Sequence, residues 1–110
     1  MEKKIEKIES YGEKKNFKKI QGCLKDKEPQ IRMSAVDALK NIDTDESYNQ
    51  RVVMLRDSDI SVKKAAIKSL GMLSRKTAID HITYIMNLEK DEELQEVCRK
   101  SISSLHGLQH

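Results

Sequence analysis

The chain has 110 residues, 35% of them charged and only 4% aromatic, with one Pro and four Gly. That length suits one domain or one short array, and a composition of helix formers argues against sandwiches and barrels. A net charge of +3 is too small to demand a nucleic-acid partner, and neither an 18-residue apolar run nor an apolar stretch after Met1 points to a membrane or a secretory signal.

Hydrophobic spacing and helix punctuation predict seven helices, at about 2–10, 14–25, 29–42, 46–56, 60–73, 78–89 and 92–106. The first sets Ile5, Ile8 and Tyr11 on one side, among the nine Lys and five acidic residues of segment 1–27. The second carries Phe17, Gln21, Cys23 and Leu24. Pro29 opens the third, where its missing N–H has no intrahelical partner to lose. Asp45, Asp59 and Asp91 stand where they can cap the fourth, fifth and seventh helices, and Thr77 with Asp80 reads as a capping box for the sixth.

These helices repeat. The stretch from Asp26 to Ile42 aligns without a gap on Asp57 to Leu73, an offset of 31 that places Ile31 on Val62, Ala35 on Ala66 and Leu39 on Leu70. Upstream, Phe17, Gln21, Cys23 and Leu24 fall on Tyr48, Val52, Met54 and Leu55. In a third copy Ile79, Ile82, Ile85, Met86 and Leu88 supply the first stripe. Val97, Ser101, Ile102, Ser104, Leu105 and Leu108 follow at an offset of 35, the extra residues lying around Leu88–Glu93. A period of this size means stacked helix pairs that cannot bury their faces singly. Carried back by 31, Ala35 and Ala38 become Lys4 and Lys7, so the first helix is expected to be a charged half-repeat closing that end. The expected architecture is all-α, an α-α superhelix of about three and a half helical hairpins. It comprises a capping half-repeat at 1–12 and repeats at 13–43, 44–74 and 75–110.

The recurring pattern of Asp, then Ile31-Arg32 or Val62-Lys63, then Ala35 or Ala66, then Leu39 or Leu70 resembles HEAT repeats. It is similar to the short HEAT-like repeats also found in phycobilisome lyases. The third copy departs from it, with Cys98 in place of the base and Ser101 in place of the Ala. The resemblance implies that the second helix of each pair lines a concave face. It also implies pairing of Asp26 or Asp57 with Arg32 or Lys63, and no particular partner.

No catalytic, metal or cofactor constellation is legible. His106 and His110 are four apart but stand on either side of Gly107 at the end of the sequence, neither Cys has a neighbouring His, and the glycines at 12, 22, 71 and 107 make no phosphate loop. Cys23 and Cys98 fall in different repeats, too far apart for a disulfide, and Cys23 takes an inward position like that of Met54. Free thiols suit a cytoplasmic protein.

Opposite the apolar stripe of each second helix stand Met33, Asp37 and Lys40, then Lys64, Lys68 and Met72, then Glu96, Arg99 and Ser103. Met33, Lys40, Lys64, Lys68, Met72 and Arg99 are therefore the expected partner-binding residues, a modestly basic face with adaptable thioethers. The expected function is a non-enzymatic scaffold or adaptor binding an acidic or amphipathic segment of another protein. One alternative is a nucleic-acid accessory protein using Lys3, Lys4, Lys7, Lys14, Lys15, Lys18 and Lys19, weakened by the interleaved Glu2, Glu6, Glu9 and Glu13. Another is a non-catalytic subunit or relative of HEAT-like lyases. A monomer is expected, with a dimer conceivable only through the C-terminal end.

Overall fold

Seven α-helices make up the computed structural model, which describes residues 1–107. They are α1 (Glu2–Glu13), α2 (Phe17–Cys23), α3 (Pro29–Ala38), α4 (Asp45–Met54), α5 (Ile60–Gly71), α6 (Ala78–Leu88) and α7 (Glu92–His106); a 3-10 turn at Leu39–Asn41 extends α3. Their starts follow the local chemistry. Pro29 occupies the first turn of α3, Asp59 accepts from Ser61 N and Val62 N, and Asp91 accepts from Leu94 N. Three starts differ from expectation. Thr44 rather than Asp45 caps α4, accepting from Ser47 N. Thr77 makes no capping bond to α6, because its hydroxyl instead shares a 2.8 Å hydrogen bond with the phenol of Tyr48. Helix α2 starts at Phe17, not near 14, because Lys15 adopts φ 55°, which ends a right-handed helix.

Helices α1, α3, α5 and α7 pack side by side in one layer, and α2, α4 and α6 lie behind them, each against its hairpin partner. Successive outer helices hardly touch, so the array bends toward the tightly packed layer and makes that layer concave. The core lies between the layers. Leu39, Leu70 and Leu105 are fully buried at equivalent positions, as are Ala35 and Ala66, with Ser101 nearly so. Ile8 is buried and Ile5 and Tyr11 pack against it, so α1 belongs to the inner layer as half a hairpin. Cys98 is in the core, whereas Cys23 is only half-buried, at the margin beside Lys4 and Asp26 rather than fully inward. Both thiols are free, and burial pushes Cys98 up to about 11. Leu108 and His110 lie outside the described residues.

Close approach in the inner layer depends on small side chains. A Cβ on Gly12 would stand 3.1 Å from both Cβ and O of Ala38, and one on Gly71 would stand 2.7 Å from Cβ and 3.0 Å from Cα of Ser101. Gly12 is therefore a helix–helix contact inside α1, not the turn that a gap between helices at 11–13 would need.

Polar groups then join one repeat to the next. Lys4 pairs with Asp26, Arg32 with Asp57 through two bonds of 2.9 and 3.0 Å, and Lys63 with Glu89. Each base stands on an inner helix and each acid in the turn of the following hairpin. Asp26 and Asp57 also accept from the backbone N–H two residues on, both at 2.9 Å, so the turns share one chemistry.

Arg51 was not anticipated. It stands in α4 where the 31-residue register places Ile20 in α2 and Ile82 in α6, and it is only 1% exposed. Its guanidinium donates to the carbonyls of Leu39, Ile42 and Ser69 and to the Ser47 hydroxyl, closing the C-terminal ends of two inner helices. Burial lowers its pKa to about 10, so it stays charged at neutral pH, while its Nε has no partner.

Two measurements check this packing. Gly71→Ala is expected to lower unfolding free energy by about 1–3 kcal/mol, since Ser101 backbone cannot yield. Gly22→Ala, where an added Cβ meets nothing within 4 Å, is expected to raise it by about 0.5–1 kcal/mol through helix propensity. Urea melts giving the same sign for both would refute the close-approach argument. Arg51→Ala strands three carbonyls and leaves a cavity, at an expected cost of about 3–5 kcal/mol; a change under about 1 kcal/mol would show that those bonds are not formed.

Candidate interaction grooves

Between α3 and α5 the concave layer is furrowed by a groove of about 510 Å³. Five of the six residues expected to bind a partner line it: Met33, Lys40, Lys64, Lys68 and Met72. The two helices run parallel, so Met33 near the start of α3 and Met72 just past the end of α5 occupy opposite ends. Ser34, Ala65 and Ser69 give the groove its depth because they are short. The Ser69 hydroxyl is buried there without a hydrogen-bond partner. Met72 is 70% exposed, Met33 half-buried. Arg99 does not join this group. It projects from α7, and a second furrow of about 330 Å³ between α5 and α7 is lined by Glu93, Glu96, Val97, Lys100 and Ser101, with Lys68 on the shared ridge.

The electrostatics correct the expectation of a basic face. Lys64 Nζ lies 2.7 Å from Glu93 and 3.9 Å from Asp91, and the Glu93 bond raises its pKa. Lys40 pairs with Asp37 at 3.3 Å, and Arg99 with Glu96 at 2.8 Å. Acids at the start of α7 reach back to α5, a contact invisible within any single repeat. Among the described residues Lys68 alone of these four cations takes part in no ion pair. The concave face is close to charge-balanced.

A larger groove lies on the opposite side and was missed. About 820 Å³ of space between α4 and α6 is bounded by Val52, Val53, Met54, Leu55, Arg56, Asp57, Asp80, His81, Tyr84 and Ile85. Val53 is 59% and Tyr84 54% exposed, and the Arg56 guanidinium sits 5.6 Å from the Tyr84 ring centroid. The register offered a signal: Gly22, Val53 and Tyr84 are equivalent, and two large apolar side chains at an outward position are out of pattern. The N-terminal lysines, by contrast, do not form one strip. Lys3, Lys4 and Lys7 stand on inner α1, with Lys4 committed to Asp26, while Lys18 and Lys19 stand on outer α2.

Among the described residues no group of His, Cys, Asp and Glu is placed to hold a metal ion, and no helix is long and apolar enough to cross a membrane. Among the described residues helix α7 exposes no large apolar side chain, so the alternative of a dimer through the C-terminal end finds no apolar patch on that helix.

Residues 18–103, more than three quarters of the chain, match the family model of HEAT repeats. No curated protein and no solved structure matches the chain significantly. The chain belongs to the HEAT-repeat family; the match is to such repeats at large and does not select the phycobilisome-lyase type.

The Arg99–Glu96 pair has a measurable consequence. The bond from Arg99 holds the Glu96 carboxyl below the usual glutamate range. A carboxylate lowered by folding adds stability above its unfolded value, near pH ~4.3, and loses it as pH falls through the lowered one. Carboxyl carbon NMR is expected to show the Glu96 midpoint below that of a free glutamate, and Arg99→Gln to return it to the ordinary range. An unmoved midpoint in that variant would show the pair to be absent in solution.

Proposed function

We propose that this HEAT-repeat chain is a non-enzymatic protein-interaction module whose concave groove between α3 and α5 receives an amphipathic segment of a partner protein. The family supports this reading, since HEAT repeats generally mediate protein–protein contact. The observation that carries it is the groove itself, where the exposed Met72 and half-buried Met33 thioethers bracket a floor of short side chains. Thioethers are polarisable and unbranched, which suits a surface that adapts to an apolar anchor. Lys68, without an ion pair, is free to meet one acidic group of that segment, whereas Lys40 and Lys64 would first have to leave their carboxylates. The partner is therefore amphipathic with a single acid near the Lys68 ridge, rather than broadly acidic. Of the groove's polar groups, Lys40 and Lys64 are held in ion pairs and Ser34 Oγ donates to Gln30 O at 3.0 Å, while Lys68 and the Ser69 hydroxyl have no partner among the described residues; none of these is a nucleophile–base pair.

The test begins with a partner captured on the wild-type chain and then purified. Met33→Ala with Met72→Ala is expected to weaken its binding by about tenfold or more, as loss of central apolar anchors does. Lys68→Glu should weaken it by up to about fivefold, the reach of one exposed charge contact. Melting temperatures of Met72→Ala and Lys68→Glu alone should stay within about 2 °C of wild type, because those two side chains are exposed, whereas Met33 packs against the core and its truncation lowers stability as well. A partner that binds the double variant as tightly as wild type would overturn the assignment. A nucleic acid bound with a steep salt dependence would overturn the protein-partner reading.

A further inference from the structure

The outer side of the fold is built differently from the concave side. Because α4 and α6 do not close on one another, the furrow between them reaches down to Met54, Leu55 and Ile85 of the core. Along the register its outward column runs Gly22, Val53, Tyr84, from no side chain to the largest. An added Cβ at Gly22 would meet nothing within 4 Å, so the column is open at α2 and walled at α4 and α6. More than half of Val53 and of Tyr84 stays in water, and a partner that covered them would gain the free energy of removing that apolar surface from solvent.

Charge on the same side runs the other way. Equivalent positions carry Lys18, Asn49 and Asp80; Lys19, Gln50 and His81; Lys25, Arg56 and Asn87. The outer surface is thus cationic over α2 and loses its cations by α6, where Asp80 is the one acid. Among the described residues Lys18, Lys19, Lys25 and Arg56 enter no ion pair, whereas Lys40, Lys64 and Arg99 on the concave side all do. Arg56, stacked near Tyr84, joins the cationic end to the apolar furrow.

We propose that this outer surface is a second docking site, for an acidic amphipathic helix of a partner protein. The helix lies across α2, α4 and α6 with its acidic end over Lys18, Lys19, Lys25 and Arg56 and an apolar or aromatic anchor between Val53 and Tyr84. The outer helices stand farther apart than the 8–10 Å of packed pairs, so two interhelix steps span at least about 20 Å, or about 13 residues of helix. The polarity is fixed, because acids at the far end would meet Asp80. A chain with a partner on each face joins two proteins, which goes beyond the concave reading. Nucleic acid would use the lysines but leave the Val53–Tyr84 furrow unfilled.

The probe is a fluorescein-labelled helical peptide of about 16 residues, with Glu and Asp in its first half and Leu and Phe at i, i+3 and i+4 in its second. Anisotropy with the full chain is expected to saturate below about 1 mM, and Tyr84→Ala and Val53→Asp each to weaken binding by about tenfold. Tyr84→Phe should bind as wild type does, which separates a contact from a folding defect. Lys25→Glu with Arg56→Glu should weaken binding and flatten its salt dependence. Met72→Ala should change nothing, so loss of this site and loss of the concave site are read separately. The proposal is overturned by no saturation at about 1 mM, by equal binding of a peptide with the two halves exchanged, or by indifference to Val53 and Tyr84. It is overturned equally if a single-stranded DNA oligonucleotide displaces the peptide and its binding depends on the lysines but not on the furrow.

Discussion

Close approach of the inner helices is the constraint on which the rest of the structure depends. Helix axes can come together only where a side chain is short, and here the contact points are Gly12 against Ala38 and Gly71 against Ser101. Ala35 and Ala66 serve the same layer at fully buried positions. With α1, α3, α5 and α7 drawn together and larger residues such as Ile20, Met54, Leu55, Ile82 and Ile85 filling the space behind, the outer helices must splay. Curvature, the smaller concave groove and the larger outer furrow all follow from this difference in side-chain size between layers.

Apolar stacking alone would leave the repeats free to slip, since one Ile-and-Leu stripe resembles the next. The bonds between repeats are directional. Arg32 grips Asp57 with two nitrogens while its third donates to the Asp26 and Lys27 carbonyls, so one side chain ties two successive turns. Arg51 plays a comparable part in the interior. Its neighbours in the register are isoleucines, and an isoleucine there could not satisfy the carbonyls of Leu39, Ile42 and Ser69. A buried cation without a carboxylate is costly in itself. Its gain is that the end of α3, which runs into the 3-10 turn at Leu39–Asn41, and the last turn of α5 meet donors in one place.

The two faces divide the charge between them. Lys40, Lys64 and Arg99 on the concave face are neutralised by acids of the same or the following helix, leaving Lys68, so the proposed groove there recognises shape and apolar surface more than charge. Outer cations are left over: Lys18, Lys19 and Lys25 gather at the α2 end, and Arg56 links that end to Tyr84. A net charge of +3 conceals this separation entirely.

Periodicity by itself determined most of the fold. Offsets of 31 and then 35 residues placed Leu39, Leu70 and Leu105 at equivalent core positions, and the first offset carried backwards assigned α1 to the inner layer, because a helix must turn its apolar stripe toward its neighbours wherever it sits. The same logic separated Met33, Lys40, Lys64, Lys68 and Met72 from the core, and five of the six chosen side chains share one groove for that reason. Sequence spacing carries no information about which exposed charges meet. Glu93 reaching Lys64 and Thr77 turning to Tyr48 are contacts across 29 residues, decided by how one hairpin lands on the last. Arg51 in the core, the Gly12 contact and the open furrow beside Tyr84 likewise depend on interhelical distances, which only the packed structure sets.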